Sequence, residues 1–165
     1  MRKLFPGYYK PSTKEFEKIW KEGVFVFDTN VLLDLYRYSD ETVKILLSIM
    51  DCIKGRIWIP YQVSREYHKN LNGIISGQVK KYQESIKTLQ DCKSQIEEKR
   101  NHPFLSPELH KEINDFCKKF DSELDLKKDK VKSLINDNPI KEKLADLLDD
   151  KVGEKFNDEK LQEIY

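Results

Sequence analysis

The sequence predicts an α/β chain dominated by helix, in which a small parallel sheet with two evident strands carries a long antiparallel helical hairpin. Three observations predict it. The run Val24-Phe25-Val26-Phe27 is β-branched or aromatic throughout and stops at Asp28, as a central parallel strand buried on both faces does. A second short apolar run, Arg56-Ile57-Trp58-Ile59-Pro60, follows a helical stretch, so the two strands read as a crossover unit. Beyond it, apolar residues recur at helical spacing over two long stretches joined by a short link, the pattern of two helices folded back on each other.

The first segment, Phe5 to Glu22, opens on aromatic residues and a Pro6-Gly7 turn. It becomes helical from about Ser12, with Ser12 or Thr13 as cap, Phe16, Ile19 and Trp20 on one face, and Gly23 as its end. The Tyr8-Tyr9 pair is expected to pack the N-terminal arm against the sheet, with base stacking as the alternative. After the first strand, a short helix is expected from Asp28 to about Tyr36. A second begins at Ser39 or Asp40 and runs to about Ile53, with Val43, Leu46, Leu47 and Met50 facing the core and Gly55 closing it.

Pro60 then suits the first turn of a very long helix, whose stripe runs through Val63, Tyr67, Leu71, Ile75, Val79, Tyr82, Ile86, Leu89 and Ile96, interrupted by Lys93, to His102-Pro103. Gly73 and Gly77 mark possible bends. Ser106-Pro107-Glu108 restarts a helix with a cap, a first-turn proline and an acid at the positive end. Its stripe is Leu109, Ile113, Phe116, Phe120, Leu124, Val131 and Leu134. Asn138-Pro139 opens another helix with Leu144, Leu147 and Leu148 apolar and Gly153 as breaker, and a last helical piece begins at Asn157 or Asp158 and reaches Tyr165. The expected division is 1–62 for the α/β part, 63–136 for the hairpin and 137–165 for a helical return.

Composition bounds the class. A chain of 165 residues suits one domain with its own core, and 36% charged residues with a mean hydropathy of -0.72 imply much solvated helix. Cys52, Cys92 and Cys117 are odd in number and form no CxxC pair, so free thiols in a reducing compartment are expected. Met1-Arg2-Lys3 leads into Leu4-Phe5-Pro6-Gly7 rather than a signal-peptide core, and no long apolar run follows, so the expectation is a cytoplasmic protein with no membrane partner. Net charge is +1 and selects no partner. Residues 1–60 carry 10 basic and 8 acidic groups, 61–136 carry 15 and 12, and 137–165 carry 5 and 9. The middle is mildly basic, though interspersed charges on long helices also describe a solvated face.

Asp28 stands where a strand ends and a helix begins, and Glu66 lies in the opening turns of the helix after the second strand. Parallel pairing brings both carboxylates to one edge, and in open α/β sheets that carboxyl edge is where ligands bind. Asp28 equally suits a helix N-cap. Asp34 is expected at the surface or behind the site.

Here the residues resemble a known family. A hydrophobic strand ending in Asp28-Thr29-Asn30, continuing Val31-Leu32-Leu33, with Val63-Ser64-Arg65-Glu66 opening a later helix, resembles the PIN-domain nucleases. It is more similar still to the PIN-like branch with a long helical insertion after this second motif, which Phe5-Pro6-Gly7-Tyr8-Tyr9 and the stretch from Phe27 to Tyr38 also fit. The resemblance implies metal-dependent phosphodiester cleavage of single-stranded RNA or DNA. Asp28 and Glu66 would be the catalytic ligands of Mg²⁺ or Mn²⁺, with Thr29 and Asn30 supporting them and Arg65, His68, Lys69 and Arg37 as candidate contacts to nucleic acid.

Such sites generally use three or four acids, and no third hydrophobic strand is evident here. The resemblance therefore favours a fragment of a longer domain, with Asp146, Asp149 and Asp150 as the alternative source of acids. Two rival readings stand beside it. A haloacid-dehalogenase-like phosphatase would want a second Asp where Asn30 stands, and a non-catalytic module would use the hairpin to grip a protein partner or a second copy of the chain.

Overall fold

The computed structural model describes residues 1, 4–98 and 105–155. Helix α1 (Thr13–Glu22) leads into strand β1 (Phe25–Val26), helices α2 (Thr29–Asp34) and α3 (Asp40–Cys52), and strand β2 (Ile57–Trp58). Helices α4 (Tyr61–Glu97), α5 (Pro107–Ser133) and α6 (Pro139–Leu148) follow. The expected helix end at His102-Pro103 and the last helical piece up to Tyr165 lie outside the described residues.

The strands pair in parallel, Phe25 opposite Ile57 and Val26 opposite Trp58, which is the crossover unit the sequence predicts. A third parallel position lies beyond β2, where Ile59 bridges Val152. The Ile59 amide donates to Lys151 O and the Gly153 amide donates to Ile59 O, both at 2.9 Å. The described residues hold two strands, as the sequence reading expects, and Val152 adds one isolated bridge beyond β2, flanked by the polar Asp150-Lys151 and Gly153-Glu154.

Burial of β1 on both faces is corrected as well. Val24 and Val26 are 64% and 54% exposed while Phe25 and Phe27 pack on the core, so the strand alternates in the way a sheet covered on one side does. Along β2, Ile57 and Ile59 are buried and Trp58 is half-exposed. Among the described residues, Leu32 and Leu33 of α2, Met50 of α3, Tyr67, Leu71 and Ile75 of α4, and Leu144 and Leu147 of α6 cover the inner face and form one core with Ile57 and Ile59.

Local signals place most helix ends. Ser12 accepts from the Glu15 amide while Glu15 accepts from the Ser12 amide at 2.8 Å, a capping box. Ser39, Ser106 and Asn138 each accept an amide bond from the residue three positions on. Pro60 occupies the N-cap of α4 rather than its first turn, because the chain is still extended where it leaves β2, and α6 ends at Leu148, before Gly153, through Asp150 in the left-handed region (φ 57°). In the N-terminal arm Tyr8 is 87% exposed, against the packing expected of it, and Phe16, Ile19 and Trp20 share a face but none is buried. Trp20 reaches the sheet only at its amino edge, edge-on to Phe25 at 5.8 Å, with Arg56 donating to its carbonyl.

Helix α4 has 37 residues and α5 has 27, spans of about 55 and 40 Å at 1.5 Å per residue. They run antiparallel, with His110 near Glu97 and Gln90 donating to Asp121. The α4 stripe follows the expected spacing, and Lys93 is half-buried in it, its stem continuing the apolar row. On α5, Cys117 rather than Phe116 is the buried residue, at 5% against 58% exposure. Helical rotation decides this, because Ile113, Cys117, Phe120, Leu124 and Val131 share one seam and Phe116 flanks it. Among the described residues no helix is long and apolar enough to cross a membrane.

Candidate functional site

The carboxyl edge of the sheet brings the two acidic motifs together. Asp28 stands at the N-cap position of α2 but makes no side-chain cap bond. Its carboxylate instead accepts from Asn30 Nδ2 at 3.2 Å, and it is exposed to solvent. Thr29, the next residue, is buried at 6% exposure and its hydroxyl donates to Glu66 Oε2 at 3.0 Å. This bond spans 37 residues of sequence and ties the start of α2 to the second turn of α4. The end of β1 and the helix after β2 therefore meet, as parallel pairing requires.

Glu66 is half-buried. Its other oxygen, Oε1, accepts from Gln62 Nε2 at 2.7 Å. Sequence reading did not single out Gln62, although a Gln four residues before a Glu on one helix face is a pairing that spacing reveals. Both Glu66 oxygens are thus oriented by neutral donors, and neither acid forms an ion pair among the described residues.

The other candidates fall into two groups. Arg65, His68 and Lys69 are exposed on the early turns of α4. His68 lies edge-on to Tyr67 at 5.2 Å between ring centroids. Arg37, by contrast, is engaged with Asp34 at 2.6 Å, which accounts for Asp34 without a place in the site. Asp146, Asp149 and Asp150 are exposed, and Asp149 and Asp150 line a cleft together with Leu32 of α2 and Ser64 and His68 of α4.

Behind the acids, a buried polar chain fixes the helices that carry them. Tyr36 donates to Asn138 Oδ1 at 3.1 Å and lies 2.8 Å from the Tyr67 hydroxyl. Asn138 Oδ1 also accepts the Lys141 amide. Burial pushes both phenols above the ordinary tyrosine range, and Tyr67 furthest, since its bond to Tyr36 adds to the effect. A cleft of about 400 Å³ opens between α4 and α6, lined by Ser64, His68, Lys141, Leu148 and Val152 among others, but neither Asp28 nor Glu66 lines it. Asp28 and Glu66 lie outside that cleft, and Thr29 joins their two motifs at the sheet edge.

A family model described as a PIN like domain matches residues 24–165. The chain belongs to the PIN-like domain family. No curated protein and no solved structure matches it. In this PIN-like domain both acidic motifs fall inside the matched region. Among its described residues no group of three or more His, Cys, Asp or Glu side chains is close enough to hold a metal ion. The donor set still suits Mg²⁺ or Mn²⁺, hard ions that are commonly held by one or two carboxylates, with waters and substrate phosphate completing the shell. Two carboxylates without a cationic partner at one sheet edge are that kind of donor.

Proposed function

We propose that this PIN-like domain is a metal-dependent nuclease that hydrolyses phosphodiester bonds in single-stranded nucleic acid, with Asp28 and Glu66 as the acids that hold Mg²⁺ or Mn²⁺. The observation that carries the reading is the Thr29–Glu66 hydrogen bond at 3.0 Å, which joins the two acidic motifs at the edge where α/β sheets bind ligands. A divalent ion bound there supplies Lewis acidity toward phosphoryl oxygen and a more acidic water.

The chain's own residues do the rest. Asn30 holds Asp28, and Thr29 with Gln62 fixes the rotamer of Glu66, so both carboxylates are oriented before substrate arrives. Lys69, Arg65 and His68, exposed on the same helix, are placed to meet backbone phosphates, whereas Arg37 is committed to Asp34. Free thiols at Cys52, Cys92 and Cys117 suit work in the reducing cytoplasm.

A second reading draws on the two acids lacking a third and on the length of α4 and α5: a non-catalytic module in which the hairpin binds a protein. One experiment separates them. The 165-residue chain is incubated with end-labelled single-stranded RNA and DNA, with Mn²⁺ or with EDTA, beside Asp28→Asn and Glu66→Gln, and Mn²⁺ binding is followed by electron paramagnetic resonance. Cleavage that needs Mn²⁺ and is lost in both variants supports the nuclease. A folded chain that neither binds Mn²⁺ nor cleaves either polymer overturns it in favour of the hairpin module.

A further inference from the structure

Two of the three thiols share one cavity. Cys92 on α4 and Cys117 on α5 both line a cavity of about 340 Å³ in the seam of the hairpin, walled by Leu89, Ile96, Ile113 and Phe116. Their access to solvent differs, since Cys92 is exposed whereas Cys117 is buried at 5% exposure. Cys52 ends α3 and does not line this cavity.

The register of the hairpin sets the two level. Helices α4 and α5 run in opposite directions, so each contact across the seam fixes which residue of α5 lies opposite Cys92. Carried along from the Gln90–Asp121 hydrogen bond that residue is Lys119, and carried along from the approach of His110 to Glu97 it is Asp115. Cys117 is midway between them. Two residues along a helix turn the side chain by about 200°, so Cys92 flanks the seam on the side opposite Gln90, and Cys117 lies in the seam itself. Packed helix axes about 8–10 Å apart, with Cα atoms about 2.3 Å from each axis, place such a pair of Cα atoms about 6–7 Å apart, at the upper reach of a disulfide. The cavity leaves both side chains room to turn toward each other.

We propose that Cys92 and Cys117 are a dithiol site that glutathione disulfide converts to a disulfide across the seam. The exposed Cys92 thiolate attacks one sulfur of glutathione disulfide, forming a mixed disulfide and releasing one glutathione thiolate, and the Cys117 thiolate then attacks the Cys92 sulfur and releases the second. The protein gives up two protons and two electrons, and one glutathione disulfide becomes two glutathione thiols. A reducing compartment keeps the pair open and an oxidising shift closes it, the transient use that disulfides have inside cells. The Gln90–Asp121 bond holds one flank of the seam. The disulfide adds a covalent tie on the other and fixes the register of the half of the hairpin remote from the sheet.

The test uses the full 165-residue chain carrying Cys52→Ser, which leaves the two seam thiols alone. The folded chain is incubated with glutathione disulfide, alkylated with iodoacetamide and weighed by mass spectrometry, and its thermal unfolding is compared with that of the reduced chain. The expected product is a monomer lighter by two hydrogens, with neither cysteine alkylated, a peptide linked through Cys92 and Cys117, full reversal by dithiothreitol and a raised unfolding midpoint. Cys92→Ser in the same background should form no link and keep its midpoint unchanged by the oxidant. Two alkylated thiols overturn the proposal, as does glutathione retained on either cysteine or a link between two copies of the chain. A disulfide that lowers the unfolding midpoint overturns it too, because it then forms against the native register.

Discussion

The hydroxyls of Tyr36 and Tyr67 lie 2.8 Å apart in the core, and Tyr67 is the donor, because Tyr36 already gives its one proton to Asn138. The chain Tyr67 to Tyr36 to Asn138 runs from α4 through the turn after α2 to the N-cap of α6. It ties α4, which bears Glu66, to the far end of the segment that begins at Asp28.

The order of the chain sets the order of the mutational cost. Tyr36→Phe strands the buried Tyr67 hydroxyl and should destabilise the fold by about 1–3 kcal/mol. Tyr67→Phe leaves the Tyr36–Asn138 bond intact and should cost less, about 1 kcal/mol. Urea unfolding of the two variants, read at the midpoint, checks the ranking, and equal costs would contradict the donor assignment.

The same pair makes the fold alkali-sensitive. Burial raises both phenols in the folded state, while in the unfolded chain they ionise near the usual value of about 10. Their stabilisation is complete below that value and declines as pH climbs from about 10 toward the folded-state pKa values. Thermal unfolding from pH 8 to 11 should show this fall, and Tyr36→Phe should flatten it.

Thr29 acts on Glu66 through one hydrogen bond. Thr29→Val keeps the buried shape and removes the donor, so the proposed Mn²⁺-dependent cleavage should drop by about tenfold, roughly 1.4 kcal/mol of lost orientation, and the proposed Mn²⁺ binding should weaken. Thr29→Ser should restore most of both. A Val variant with unchanged Mn²⁺ affinity would remove Thr29 from the positioning role.

Gly153 is required by contact, not by conformation, since its φ is not positive. Gly153→Ala forces the Trp58 indole aside and should destabilise by about 1–3 kcal/mol, the cost of overpacking. A shift of the indole emission without loss of helix signal is the expected readout.

At the amino terminus, the capping box holds a helix with no buried residue, so Ser12→Ala should fray α1 alone, by about 1 kcal/mol. The Ser12 hydroxyl and amide hold the Glu15 carboxyl below its usual value. Its contribution is therefore present above the unfolded carboxylate pKa and lost as pH falls through the folded one. Amide protection in residues 13–22, measured relative to the intrinsic exchange rate at each pH, should fall below about pH 4 while α4 stays protected.

Much of this was legible in the residues. Ser12, Ser39 and Ser106 announced three helix starts because a cap is a local interaction, and the abrupt stop at Asp28 announced the edge because parallel strands end together. Glu66 could be placed near Asp28 only through the pairing of Phe25 with Ile57, which two short apolar runs were enough to suggest. What the sequence hid depends on contacts between distant segments. Val152 joins the sheet by pairing with Ile59, and nothing in Lys151-Val152-Gly153 shows it. The uncovered outer face was hidden too, because Val24 and Val26 carry the same composition whether a layer lies over them or not. Within the site, Gln62 was missed because its role is to orient Glu66, not to act itself.

The Ile59–Val152 bridge joins residues far apart in the chain, and that spacing bears on how the molecule folds. Closing so long a loop is slow when the intervening chain is random. The intervening chain here is mostly α4 and α5, which can zip together locally and bring Ser133 back alongside the first half of α4. The loop left to close then consists of little more than α6 and its flanks, a shortening by about two doublings that removes roughly 1 kcal/mol of closure entropy. The hairpin thus serves as a scaffold for assembly, and variants that loosen its seam, such as Cys117→Asp, should slow refolding more than they alter the finished sheet.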